Sequence, residues 1–140
     1  MKTVLFICTH NSARSQMAEG FLNSFYGDKF HAFSAGIKPS YINPYVIKVM
    51  KEVGIDISKN RSKSIEEFRE KNFDFVVTVC DHTKKVCPFF PGKIVLHKNF
   101  KNPAELKGSK KEILKQIRDI RDDISDWIKN YFGKLISNET

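Results

Sequence analysis

The sequence predicts an α/β fold: a single domain over residues 1–140, with a four-stranded parallel sheet flanked by helices on both faces. Three observations lead there. Thr3 to Cys8 and Phe73 to Cys80 are continuous, partly β-branched apolar runs, the pattern of strands buried on both faces of a parallel sheet. Strand-like and helix-like segments alternate along the chain, which implies a parallel sheet covered by its crossover connections. A chain of 140 residues can also bury roughly 68–70% of its unfolded surface, enough for one proper core.

Each element follows from local pattern. After the first strand, Met17, Gly20/Phe21 and Ser24/Phe25 recur at helical spacing, so Arg14 to Tyr26 reads as an amphipathic helix closed by Gly27. His31 to Ala35 is a short strand ended by Gly36. Pro44 to Val53 is a helix with proline in its first turn and Gly54 just beyond its end. Ser64 to Lys71 reads as a short helix, and Phe73 to Cys80 as the second strong strand. Lys93 to Leu96 is a weaker strand. From Ser109 to Phe132, Ile113, Ile117, Ile120, Ile124, Trp127/Ile128 and Tyr131 form one stripe of a long helix. Ligands of such folds bind at the carboxyl ends of the strands, at a topological switch point. Cys8 and Cys80 both end a predicted strand, so the pattern brings them toward one site.

Composition narrows the function. The 24 lysines and arginines outnumber 16 acidic residues, a net charge of +8. The excess is spread along the chain, with no long basic run and no aromatic–basic stripe. That argues against nucleic acid and leaves an anionic substrate or solubility as its meaning. No apolar run approaches the roughly 20 residues of a membrane span. The N-terminus lacks the form of a signal peptide, because Arg14 and polar residues follow the first apolar run at once. A cytoplasmic monomer with no bound cofactor or metal is the expectation. Three cysteines are an odd number, which does not suit a static disulfide framework.

The chemistry concentrates in Cys8-Thr9-His10-Asn11-Ser12-Ala13-Arg14-Ser15, between the first strand and the first helix. Successive backbone N–H groups in a tight loop form a nest for an anion, and a helix start adds unpaired N–H groups and a positive dipole end. Arg14 supplies a planar fork matched to a tetrahedral oxyanion. The same positive surroundings favour the thiolate of Cys8, the nucleophilic form, and Ser15 can donate a hydrogen bond to it. The bland alternative is a buried structural cysteine followed by an ordinary capped helix. The strong strand before the motif, the helix after it and the small residues within it favour the functional reading.

Cys80 and Cys87 are separated by six residues. They read as two unrelated thiols, as zinc ligands with His82 and His97, or as a redox pair. The spacing is not the short Cys-x2–4-Cys of a structural zinc site.

The stretch Cys8-Thr-His-Asn-Ser-Ala-Arg14-Ser-Gln-Met-Ala-Glu-Gly20 resembles the phosphate loop of the low-molecular-weight tyrosine phosphatase superfamily. More narrowly, it is similar to the thioredoxin-coupled arsenate reductases of that superfamily, as are Phe33-Ser-Ala-Gly36, Gly54-Ile-Asp-Ile-Ser58 and Val76-Val-Thr-Val-Cys80. The likeness covers essentially the whole chain. It implies three cysteines acting in series on arsenate. Cys8 forms an arseno adduct, Cys80 resolves it as a Cys8–Cys80 disulfide, and Cys87 leaves Cys80–Cys87, reset by thioredoxin or a similar dithiol. A helical 80–87 segment would hold the two Cα atoms roughly 10 Å apart. A disulfide needs about 4.4–6.8 Å, so the segment must loop or unwind on oxidation.

The resemblance also implies a monovalent-cation site braced by Asn11, Glu19 and Ser34. Where some members complete it with an acidic residue, this sequence has Lys63, whose ammonium would take the cation's place and pair with Glu19. A second departure is Asn102-Pro103, where the superfamily carries an Asp-Pro whose aspartate is the general acid. An asparagine has no titratable proton to give, which counts against ester hydrolysis more than against arsenate reduction. A small tyrosine phosphatase and a non-enzymatic oxyanion-binding redox protein are the competing functions, and a weak phosphatase side activity is compatible with the reductase.

Overall fold

The computed structural model describes residues 1–79 and 90–138. Four parallel strands, β1 (Lys2–Cys8), β2 (Phe30–Gly36), β3 (Phe75–Thr78) and β4 (Ile94–His97), form one sheet in the order β2-β1-β3-β4. The helices are α1 (Arg14–Tyr26), α2 (Pro44–Glu52) and α3 (Lys110–Asn138), with two short 3₁₀ helices at Ile65–Phe68 and Pro103–Glu105. The chain leaves β1 for β2 on one side and returns to β3 on the other. The switch point therefore lies between the carboxyl ends of β1 and β3, where a ligand is expected.

Alternation along β1 divides the core. Val4, Phe6 and Cys8 face the side carrying all three α-helices, where they join Met17 and Phe21 of α1, Val46 and Val49 of α2, and Ile124, Ile128 and Phe132 of α3. Leu5 and Ile7 face the opposite side with Val76, covered by Ile65 and Phe68 of the first 3₁₀ helix and by Phe73 and Phe90. Reversal of direction after β2, with right-handed crossovers, puts that short helix on the second face.

The sequence boundaries hold with physical adjustments. The stretch 64–71 forms only a 3₁₀ turn, opened by the Ser64 side chain accepting from the Glu66 N–H (3.2 Å). The long helix continues six residues past Phe132 to Asn138, because Leu135 and Ile136 still pack against the core. Gly27 stays in the right-handed region (φ −63°), so α1 ends without a left-handed glycine cap. α2 begins where Asn43 accepts from the Tyr45 N–H (2.9 Å) and Pro44 occupies the first turn. It is tied to α3 by Arg118, bidentate to Glu52 (2.9 and 2.8 Å), and by buried Arg121, which donates to the Val49 carbonyl (2.9 Å). Among the described residues, no helix is long and apolar enough to cross a membrane.

Candidate active site

The loop 9–13 leaves the carboxyl end of β1 at the switch point, and its shape is fixed by where its carbonyls go. Thr9 O accepts from the Lys38 N–H (2.9 Å), His10 O from the Ser62 hydroxyl (2.6 Å) and Asn11 O from Gln16 Nε2 (3.3 Å). Ser12 O accepts from the Asn43 N–H (3.0 Å) and Ala13 O from the Met17 N–H (2.9 Å). All five carbonyls are thus held by groups around the loop. Among the described residues, the N–H groups of His10 to Ser15 have no acceptor. Engaged carbonyls and N–H groups left without acceptors are the pattern of a nest suited to an anion, continued by the first turn of α1.

Two residues permit this path. Asn11 takes the left-handed region (φ +50°), a conformation asparagine tolerates better than most residues. Gly36, paired with Cys8 in the sheet, lies directly beneath the loop. A Cβ there would stand 2.7 Å from Asn11 N, 2.8 Å from Thr9 O and 2.9 Å from the His10 carbonyl carbon. Only glycine lets the loop lie so close.

Cys8 is buried, and its Sγ lies 2.8 Å from Ser15 Oγ. The direction of that hydrogen bond follows from its neighbours. Asn11 Oδ1 accepts from the Lys63 backbone N–H (2.9 Å), which can only donate, and from Gln16 Nε2 (2.8 Å). The orientation of the Asn11 amide is therefore settled, and its Nδ2 donates to Ser15 Oγ (2.8 Å). With Ser15 accepting from Asn11, its own proton is free for Sγ, the bond that supports a thiolate.

Arg14 opens α1 and is almost wholly buried. One guanidinium N–H donates to the Phe100 carbonyl (3.2 Å). A cavity of about 360 Å³ opens above the loop, lined by Cys8, His10, Ser12, Ala13 and Arg14 on one side and by Ser40, Tyr41, Asn43, Asn102 and Ala104 on the other. Asn102 thus shares a cavity with the thiol. Its side chain caps the Pro103–Glu105 turn by accepting from the Ala104 N–H (3.0 Å). Histidine 10 is held at the rim, its Nδ1 donating to the Lys38 carbonyl (3.0 Å).

Behind the loop lies a polar cluster. Glu19 accepts from the Ser34 hydroxyl (3.2 Å) and from Asn60 Nδ2 (3.2 Å). Burial raises the Glu19 carboxyl above the ordinary carboxylate range, opposed by the nearby Lys63 charge. Burial lowers the Lys63 ammonium, opposed by Glu19. The Lys63 ammonium donates to the Arg61 carbonyl (3.0 Å), so it reaches Glu19 through charge while its hydrogen bond goes elsewhere.

Cys8, Ser15, Arg14 and the whole loop stand together, and Asn11, Glu19, Ser34 and Lys63 support it from behind. Cys80, Cys87 and His82 lie outside the described residues. His97, the remaining member of the zinc alternative, ends β4 and hydrogen-bonds the Thr78 hydroxyl. Several contributors escaped the sequence reading, among them Gln16, Lys38, Asn43, Asn60, Ser62 and the Phe100 carbonyl. Gln16 left a signal, a polar side chain one residue from Met17 on the buried face of α1. A main-chain carbonyl leaves none.

Fold and loop together define an α/β protein with a buried cysteine sulfur at the mouth of a nest-like loop, beside a buried arginine. The chain belongs to the low molecular weight phosphotyrosine protein phosphatase family, whose pattern matches residues 3–138. It is 42% identical over 131 residues to an arsenate reductase of Halalkalibacterium halodurans, covering 93% of this chain and 94% of that one. A solved arsenate reductase in its oxidized state superposes with a TM-score of 0.80 at 32% identity, covering 96% of this chain and 98% of that one. The thioredoxin-dependent arsenate reductase of Corynebacterium glutamicum superposes with a TM-score of 0.62 at 30% identity, over 94% of this chain and 63% of that one.

Proposed function

We propose that this chain reduces arsenate to arsenite by a cysteine relay. The observation that carries the reading is Cys8 Sγ, hydrogen-bonded to Ser15 (2.8 Å) beneath an anion nest and beside Arg14. The substrate is taken from the arsenate reductases to which this chain is similar. In the first step the Cys8 thiolate attacks arsenic and an As–O bond breaks. The departing oxygen leaves as water with protons carried by arsenate itself or taken from solvent, since Asn102 has none to give.

In the second step the Cys80 thiolate attacks Cys8 Sγ. The S–As bond breaks, its electron pair stays on arsenic, and As(V) leaves as As(III) while a Cys8–Cys80 disulfide forms. Cys87 then attacks Cys80 by thiol–disulfide exchange, releasing the Cys8 thiolate and leaving Cys80–Cys87. Two thiols supply the two electrons. An external dithiol such as thioredoxin takes the disulfide back to thiols, in line with the thioredoxin-dependent relative. Lys63 stands in for a monovalent cation behind the loop, so the site needs no potassium. The reaction runs in the cytoplasm, where thiols are kept reduced.

The test is stoichiometric. Fully reduced protein given arsenate without any reductant should lose two thiols per arsenate and release one arsenite. Arsenate consumption without thiol loss, or no consumption at all, contradicts the reading.

A further inference from the structure

Arg14 raises a question of charge. It is almost wholly buried, yet among the described residues its guanidinium meets no carboxylate; its bond goes to a neutral carbonyl, that of Phe100 (3.2 Å). A carboxylate would orient the guanidinium and cancel its charge. A carbonyl orients it and leaves the charge for an incoming anion. It also uses only one of five N–H groups, so a pair of parallel donors remains for an oxyanion.

The carbonyl must itself be held. Phe100 follows β4 and is 7% exposed. One ring contact is edge-on to Trp127 of α3 (centroids 6.2 Å apart, planes at 74°). Trp127 in turn lies flat on Tyr131 (5.4 Å, 13°). The Lys98 ammonium stands 5.8 Å from the Phe100 ring centroid. Two residues beyond Phe100, Asn102 lines the cavity above Cys8. Helix α3 is thus linked to the site through this aromatic contact and the Phe100 carbonyl.

We infer that Phe100 and Trp127 are positioning residues for Arg14: the edge contact seats the Phe100 carbonyl, which aims the guanidinium at the oxyanion without neutralising it. Trp127 is the chain's single tryptophan, so its emission reports on the site. The inference rests on the reading of Arg14 as the oxyanion ligand, and the experiment separates the two.

The probe is inorganic phosphate, titrated into the reduced full-length protein. Binding is read by Trp127 emission and, independently, by protection of Cys8 from iodoacetamide. In the native protein, emission should shift saturably with the same midpoint as protection. Phe100→Ala and Trp127→Ala should each weaken phosphate about tenfold, the scale of one hydrogen bond to a charged group. In both, the loss should fall mainly on KM for arsenate rather than on kcat. Trp127→Phe, which keeps an aromatic edge, should restore phosphate affinity to within about twofold of native. Phe100→Leu serves if an alanine variant does not fold, and should lose affinity severalfold while melting as one transition. The inference is overturned if the folded Phe100 and Trp127 variants bind phosphate like the native protein, or if native emission stays fixed at saturating phosphate. The reading of Arg14 fails separately if Arg14→Lys binds phosphate as tightly as native, and then the inference falls with it.

Discussion

Ser15 Oγ lies 2.8 Å from Cys8 Sγ while accepting from Asn11 Nδ2, also at 2.8 Å. The Lys63 N–H fixes the Asn11 amide, the amide fixes the polarity of Ser15, and Ser15 offers its proton to sulfur. The Ser15→Ala variant should therefore alkylate with iodoacetamide more slowly at Cys8, by about tenfold at neutral pH, because a hydrogen bond to an anion contributes ~1.5–3 kcal/mol. Ser15→Thr should recover most of the rate. Equal rates in native and Ser15→Ala protein would show that the contact does not support the thiolate.

Gly36 sets the height of the loop. A methyl group there would press on Asn11 N, Thr9 O and the His10 carbonyl carbon at 2.7–2.9 Å, all of them backbone. Gly36→Ala should weaken phosphate binding by more than tenfold and lower stability by about 1–3 kcal/mol, the usual cost of overpacking a tight site. Calorimetric titration and thermal melts check both effects. Native phosphate affinity in this variant would mean that the loop tolerates displacement.

Asn102 and Cys8 line one cavity. Asn102→Asp keeps the cap on the Ala104 N–H, so thermal stability should change little. Aryl phosphate hydrolysis should rise by about 100-fold, the lower end of what general acids contribute. Arsenate reduction should change far less. Equal gains in both activities would show that the reductase reaction also lacks an acid, and no gain in either would place the side chain away from the departing oxygen.

Much of this was legible in the sequence, for identifiable reasons. β1 and β3 are buried on both faces, so their apolar runs are unbroken and easily read. The loop was legible because a cysteine, small residues and an arginine stand between a strand and a helix. The cover of the second sheet face was less so. Ser64 to Lys71 has the composition of a helix, but four residues suffice to place Ile65 and Phe68 on Leu5 and Ile7. The contacts among Gln16, Asn60 and Glu19 join residues more than 40 positions apart, and no local pattern encodes them. The acceptor for Arg14 is a backbone carbonyl 86 residues away, a group that every residue carries and that no sequence pattern marks.

The Glu19 and Lys63 charges are mutually dependent. Burial raises the Glu19 carboxyl, and Lys63 opposes the rise. A carboxyl raised on folding contributes stability below its unfolded value and loses it as pH climbs through its folded value. Lys63→Met removes the opposing charge and raises Glu19 further. The melting temperature of Lys63→Met should therefore fall relative to native as pH increases from about 4 to about 8. A gap that narrows over that range contradicts the coupling. In Lys63→Asp, an added carboxylate beside Glu19, Ser34 and Asn60 should make arsenate turnover potassium-dependent. An unchanged potassium response would show that Lys63 does not stand in for a cation.

The relay orders its products, and single-cysteine variants distinguish its steps. Cys87→Ser should complete one reduction and stop as a Cys8–Cys80 disulfide. Cys80→Ser should retain arsenic on Cys8 with no disulfide to that sulfur. The same product trapped in both variants would refute the order.

The most direct test is peptide mapping by mass spectrometry of fully reduced native protein after a single equivalent of arsenate, with no external reductant. The relay predicts one disulfide, Cys80–Cys87, with Cys8 again free to alkylate and arsenite in solution. No arsenate-dependent disulfide, or one that leaves Cys8 unneeded because Cys8→Ser forms it equally well, would contradict the account.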